Sequence, residues 1–101
     1  MSADRVAAGA APAVVRRIVT ICNQLGLHAR AAARFVKTAE KFDAEVRVRK
    51  NGTEVSGSSI MGLMMLAAAP GTVVELSGSG VEAEAAVEAL ARLIECKFDE
   101  D

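Results

Sequence analysis

The sequence contains no tryptophan and no tyrosine, and it has only three phenylalanines. Stacking of aromatic side chains on bases therefore has little support. A net charge of −1 provides no overall attraction to nucleic acid or to anionic lipid. No apolar run reaches the roughly 18 residues that span a membrane. These absences exclude nucleic acid and membrane as main partners.

Histidine occurs once, at His28, and cysteine twice, at Cys22 and Cys96. These residues are too few and too scattered for a structural metal site, and we expect neither a metal nor a cofactor. A disulfide between the two cysteines is conceivable, but free thiols in a cytoplasmic protein are the simpler interpretation. We expect both cysteines to be small packed or half-buried side chains.

The 101 residues suffice for one domain with one modest core. Residues 1–14 are rich in alanine, include Gly9 and Pro12 as breakers, and lack a continuous apolar segment. We therefore expect a flexible leader rather than a secretory signal. The domain should span residues 15–98, and residues 99–101 should form a solvated acidic tail.

Hydrophobic periodicity divides this domain into seven elements. β-Branched or alternating segments predict strands at 17–22, 45–50, 53–56 and 72–77, and helical spacing predicts helices at 29–41, 60–66 and 81–97. Asn51-Gly52 is a two-residue hairpin signal, so the second and third strands should be antiparallel. The order β-α-β-β-α-β-α predicts an α+β fold, an open-faced β-sandwich with a four-stranded antiparallel sheet covered on one face by three helices.

His28 follows the turn at Gly26 and lies at the start of the first predicted helix. Unpaired backbone N–H groups and the positive end of the helix dipole meet there, so an anion bonded to the ring would be stabilised. Arg30 adds a cation nearby. A lone histidine is also often a plain surface or capping residue. No base partner, second nucleophile or metal cluster accompanies it, so a hydrolase triad is not supported.

The short helix at 60–66 is apolar on every side. Leu63 and Leu66 should lie in the core, while full burial of the remaining side chains is the less favoured alternative. We predict that a partner docks on exposed apolar residues there and at the start of the first helix, namely Ala29, Ile60, Met61, Met64 and Met65. Ser58 and Ser59 precede this helix as possible caps, and a phosphate there would also be stabilised.

Two segments together resemble the family of the histidine-containing phosphocarrier protein, HPr. Residues 26–30, Gly-Leu-His-Ala-Arg, resemble its active-site segment, and residues 59–66 resemble its regulatory-serine segment. The spacing between the segments and the stretch at 71–76 also match, so that the likeness covers about Val15 to Cys96. Most members have proline where Ala31 stands, and Leu25 occupies a position that is often small and polar.

The resemblance implies a phosphocarrier that is not an enzyme by itself. His28 would accept a phosphoryl group on its δ nitrogen from phosphorylated enzyme I, which takes it from phosphoenolpyruvate, and would pass it to an enzyme IIA domain. Arg30 would be the anion partner, and Ser59 would be the serine modified by an HPr kinase/phosphorylase. A carrier that presents one histidine to several partners should be monomeric.

Two other functions remain open. The chain could be a small α/β regulatory or partner-binding module without phosphoryl turnover. An acyl-phosphate hydrolase is the least favoured alternative, since it needs an arginine and an asparagine on one loop and only Arg30 is evident. The sequence does not distinguish a sugar branch from a nitrogen-regulatory branch of the phosphotransferase system.

Overall fold

The computed structural model describes residues 14–99, which form one sheet and three helices. The bounds, in chain order, are β1 Val15–Thr20, α1 Ala29–Ala39, β2 Glu45–Lys50, β3 Thr53–Ser56, α2 Ile60–Met65, β4 Val73–Ser79 and α3 Ala83–Glu95, followed by a 3-10 turn at Lys97–Asp99. The predicted element order and the antiparallel sheet are confirmed. Within the described part of the chain, no helix is long and apolar enough to cross a membrane.

The strands lie in the order β1-β4-β2-β3, and every neighbouring pair is antiparallel. The β2–β3 hairpin turns at Asn51 and Gly52, whose φ angles of 50° and 83° fit the two-residue turn predicted for this dipeptide. The last strand therefore lies between β1 and β2. This arrangement brings the segment after β1 next to the segment before β4.

The core lies between the sheet and the helices. Alternate residues of the strands point toward the helices, and α1 and α3 each bury one stripe of apolar residues. The fully buried large apolar side chains are Ile21, Phe35, Val48, Leu63, Val74, Leu76, Val87, Leu90 and Ile94. The stripe on α1 consists of Ala31, Ala32, Phe35, Val36 and Ala39.

The element ends differ from the prediction by a few residues. β1 spans Val15–Thr20 rather than 17–22, because its ladder with β4 runs only from Val15 opposite Gly78 to Thr20 opposite Val73. α3 ends at Glu95 because residues 97–99 adopt left-handed backbone angles, with φ between 56° and 58°. This turn returns the chain to the core, where Phe98 is buried.

The packed or half-buried position expected for the cysteines is wrong, because both side chains are exposed. Cys22 lies just beyond β1 with its Sγ 3.3 Å from the Ile94 carbonyl oxygen, and Cys96 caps the C-terminus of α3. Residues 1–13 of the expected leader and residues 100–101 of the expected tail lie outside the described residues. Asp99 is exposed and forms an ion pair with Arg34 at 3.5 Å.

Candidate functional site

A tight turn between β1 and α1 places His28. The Leu27 amide donates to the Ala68 carbonyl at 3.0 Å, and the His28 amide donates to the Gly26 carbonyl at 2.9 Å. Gly26 has a φ of +66°, and a Cβ on it would lie 2.4 Å from the Ala68 oxygen, well inside van der Waals contact. Only glycine satisfies both the backbone angle and the space, so Gly26 determines how closely the turn approaches Ala68.

His28 is the N-cap of α1, and its ring faces the helix. Its backbone is extended, with φ −80° and ψ −179°, and Nδ1 accepts hydrogen bonds from the amides of Arg30 at 3.1 Å and Ala31 at 3.4 Å. An accepting Nδ1 carries no proton, so the proton of the neutral ring is on Nε2. The unprotonated nitrogen thus points at the positive end of the α1 dipole.

An apolar depression and an exposed arginine accompany His28. Leu25, Leu27, His28 and residues 67–69 line a shallow depression of about 220 Å³. Arg30, two residues along the chain, is exposed, and within residues 14–99 no carboxylate forms an ion pair with it. Two backbone amides thus donate to Nδ1, and a guanidinium without an ion pair follows two residues along the chain. This arrangement is suited to holding an anion bonded to Nδ1.

Ser59 is the N-cap of α2. Its Oγ accepts a hydrogen bond from the Gly62 amide at 2.9 Å, whereas the exposed Ser58 hydroxyl lies 2.8 Å from that of Ser56. Of the two serines, Ser59 is therefore the cap. A Cβ on Gly62 would lie 3.1 Å from the Ser59 Oγ, so glycine leaves room for this cap. The space that the Ser59 side chain occupies explains why a glycine stands inside this short helix.

The outer face of α2 is exposed and apolar. Met61 and Met65 are 70% and 77% exposed, and Ile60 and Met64 are each 40% exposed, while Leu63 and Leu66 are buried. The predicted division of this helix into a core side and an exposed side is confirmed. Ala29, at the first position of α1, is exposed as well.

A groove joins this surface to α1. It has a volume of about 540 Å³ and is lined by Arg30, Ala33, Arg34, Val36, Lys37, Glu40 and Ile60. Three of these residues are basic, and two of the basic residues continue from Arg30 along the exposed side of α1. Arg30 and Ile60, predicted from two distant segments, therefore line one groove, whereas His28 and Ser59 are not among its lining residues.

Sequence reasoning missed two groups around the turn. Asn23 is fully buried and donates from Nδ2 to the Gly26 carbonyl at 2.9 Å, which orders the turn from inside. An asparagine three residues before a glycine is a turn signal that could have indicated this role. Residues 67–69 lie against the turn, and no local pattern indicates that contact. Among residues 14–99, no group of three or more His, Cys, Asp or Glu side chains could hold a metal.

Comparisons with known proteins match this geometry. The family model described as "PTS HPr component phosphorylation site" matches residues 15–96. Phosphocarrier protein HPr of Neisseria meningitidis serogroup A is 51% identical over 87 residues, which cover 86% of this chain and 98% of that protein. Phosphocarrier protein NPr of Shewanella violacea is 44% identical over 86 residues, which cover 85% of this chain and 94% of that protein.

Solved structures agree with the sequence relatives. A crystal structure of HPr-C-His from Thermoanaerobacter tengcongensis superimposes with a TM-score of 0.82 at 46% identity, covering 86% of this chain and 98% of that chain. The identity and the shared architecture extend over nearly all of the described residues. The chain therefore belongs to the HPr family of bacterial phosphotransferase-system phosphocarriers, and it is a phosphocarrier rather than an enzyme in its own right.

Proposed function

We propose that this chain carries a phosphoryl group on Nδ1 of His28, accepts it from phosphorylated enzyme I and delivers it to an enzyme IIA domain. One observation supports this role most directly. Nδ1 accepts hydrogen bonds from the amides of Arg30 and Ala31 at the start of α1. Nδ1 is therefore the nitrogen whose phosphorylated form those donors would stabilise.

The transfer needs no base and no metal in this chain. The Nδ1 lone pair leaves its amide donors and attacks phosphorus, and the bond between phosphorus and the donor atom of enzyme I breaks as the new N–P bond forms. No proton leaves His28, because Nδ1 has none and Nε2 keeps its own. The phosphoryl oxygens then accept hydrogen bonds from the two backbone amides, and the Arg30 guanidinium balances the added negative charge. Delivery to the enzyme IIA domain runs the same exchange in the opposite direction.

The partners dock beside this site in our proposal. Enzyme I and the enzyme IIA domain would contact Ala29 and the exposed side chains of Ile60, Met61, Met64 and Met65. The basic residues of the adjoining groove favour partner surfaces that are acidic around an apolar centre. The chain acts as a monomer in the cytoplasm, so that the single histidine stays accessible to each partner in turn.

Ser59 would add regulation by an HPr kinase/phosphorylase. Its hydroxyl lies at the first turn of α2, next to Ile60 and Met61 of the docking residues. A phosphate there would place a dianion beside an apolar contact, which must lose water when a partner docks. Relatives named HPr and NPr both match, so the comparisons favour neither the sugar branch nor the nitrogen branch.

Intact mass spectrometry after incubation with enzyme I and phosphoenolpyruvate tests the central proposal. Wild type should gain one acid-labile phosphoryl group, and His28→Ala should gain none. His28→Asn is the matched control for folding, because asparagine keeps an N-cap acceptor and lacks the nucleophilic ring. It should melt close to wild type and gain no phosphoryl group. A wild-type chain that gains no mass would instead favour a partner-binding module, and phosphorylation of His28→Ala would place the site elsewhere.

A further inference from the structure

Lys50, the last residue of β2, reaches across to the end of α2. Its Nζ lies 2.8 Å from the Leu66 carbonyl oxygen and 3.2 Å from that of Ala67. The side chain is half-buried and lies on the helix side of the sheet, since Val46 and Val48 on the same face of β2 are buried. A cation therefore sits on the C-terminal carbonyls of a helix, where backbone acceptors lack partners and the dipole is negative.

These carbonyls have no other cation within their helix. α2 has only six residues and no basic residue in its last turn. The chain then leaves the helix through Ala67, whose φ of 52° is unfavourable for any residue with a Cβ. Lys50 therefore supplies from outside the helix the cation that the last turn of α2 lacks.

The segment that Lys50 contacts continues into residues 67–69, which form a wall of the depression beside His28. The Ala68 carbonyl, one residue beyond the Lys50 contact, accepts the Leu27 amide at 3.0 Å. The same oxygen would lie 2.4 Å from a Cβ on Gly26, so the turn and the wall are in close contact. His28 and Ala67–Ala69 line one depression. A displacement of this wall would therefore move the turn that orients the His28 ring.

We propose that Lys50 is a positioning residue for phosphoryl transfer. Its ammonium group holds the C-terminal end of α2, so that Ala68 fixes the turn at Gly26 and Leu27 and thereby keeps Nδ1 of His28 aligned with the start of α1. The consequence for transfer rests on the proposed role of His28. The effect on the turn itself does not depend on that role and can be measured without any partner.

The test compares Lys50→Met with Lys50→Arg and with Arg49→Met. Methionine keeps the apolar stem and removes the cation, whereas arginine keeps the cation. Arg49 is the matched control, because it precedes Lys50 in β2 but points to the open face, where it pairs with Glu75 at 2.9 Å. Hydrogen exchange of the Leu27 amide reports the bond to Ala68 directly, with the amides of Val48 and Leu76 as internal references for global stability.

We expect Lys50→Met to raise Leu27 exchange by about tenfold relative to the two reference amides, since hydrogen bonds to a charged group are lost. In transfer from enzyme I, kcat should fall by about three- to tenfold with KM nearly unchanged, because the misplaced group is the ring and not the docking surface. Lys50→Arg should restore both values, and Arg49→Met should change neither.

Three outcomes overturn the proposal. The first is a uniform rise in exchange at Leu27, Val48 and Leu76, which would make Lys50 a general stability residue. The second is unchanged exchange at Leu27 in Lys50→Met. The third is faster Leu27 exchange with unchanged kcat. A wild-type chain that accepts no phosphoryl group contradicts the proposed function instead, while the exchange measurement still decides whether Lys50 holds the turn.

Discussion

Arg30 is the residue whose side chain is expected to respond to charge on His28. It is exposed, so Arg30→Ala should fold normally. Transfer should slow in both directions, because one contact to a charged group is worth roughly 1.5–3 kcal/mol, or about ten- to a hundredfold in rate. Rapid-quench measurement of phosphoryl transfer from enzyme I, alongside the thermal midpoint, checks this. Rates within about twofold of wild type would remove Arg30 from the site.

Ala31 contributes a backbone donor that proline lacks. Its amide lies 3.4 Å from Nδ1 and should move onto the phosphoryl oxygens after transfer. Ala31→Pro removes this donor at a helix start, where proline is tolerated. We expect the isolated phosphorylated protein to lose its phosphoryl group about three- to tenfold faster.

Ala29→Pro is the matched control for this prediction. It removes an amide in the same turn that makes no hydrogen bond to Nδ1. Phosphate release is followed over time for both variants. Equal rates in Ala31→Pro and Ala29→Pro would show that the Ala31 amide does not stabilise the phosphorylated ring.

At the scale of the element, α2 has a buried side and an exposed side, and the exposed side is the proposed docking surface. Met61→Asp places a charge on the exposed side, so the thermal midpoint should stay nearly constant. The KM for enzyme I should rise by about tenfold or more, because residues at the centre of an interface carry most of the binding energy. Val81→Asp is the control, since Val81 is also exposed but lies just before α3, outside the docking residues. A large loss of stability in Met61→Asp would contradict the division.

The same helix allows a test of Ser59. Ser59→Asp keeps an N-cap acceptor and adds a negative charge, so the fold should be retained while association with enzyme I weakens. The effect should shrink as salt screens the charges. Ser59→Ala loses only the cap, about 1 kcal/mol of stability, and should transfer almost normally. Transfer rate against enzyme I concentration at low and high salt measures both variants. Identical behaviour of Ser59→Asp and wild type would leave Ser59 as a plain cap.

At the scale of the whole molecule, an ion-pair network joins the edge strand β1 to α3. Arg17 pairs with Glu88 and, at 3.4 Å, with Glu95, and Arg92 pairs with Glu88 at 3.3 Å. The hydrogen bonds from Arg92 and Arg17 hold the pKa of Glu88 below its ordinary value. The network is solvent-exposed, so its contribution to stability is small and sensitive to salt.

The sign of the pH dependence follows from the lowered pKa of Glu88. Its contribution to stability is fully present above the carboxyl pKa of the unfolded chain and is lost as the pH falls through the lower pKa of the folded chain. Wild type should therefore melt slightly above Glu88→Gln near neutral pH, and the difference should shrink as the pH falls through the lowered pKa of Glu88. Thermal midpoints across this range check the prediction. A difference in thermal midpoint that persists at acidic pH would show that Glu88→Gln acts through packing and not through the ion pairs.

Local chemistry determined the elements and the position of the histidine. The alternation in β2, the Asn51-Gly52 turn and the stripe on α1 each concern neighbours within a few residues. The place of His28 at a helix start follows in the same way from Gly26 before it and the helical spacing after it. The element ends were less predictable, because β1 ends where its partner β4 ends and α3 stops at a turn that buries Phe98.

Tertiary structure alone decided how these parts meet. The strand order β1-β4-β2-β3, the approach of Ala68 to Gly26 and the contact of Lys50 with Leu66 join residues far apart in sequence. Such contacts depend on sheet pairing and helix packing, which no local pattern encodes. The sequence by itself therefore determined that the single histidine lies at a helix start, and this position makes His28 the proposed phosphoryl carrier. The packed molecule decided which nitrogen faces the helix and which distant residue, Ala68, accepts the hydrogen bond from the turn before the ring, because both depend on how the helices pack.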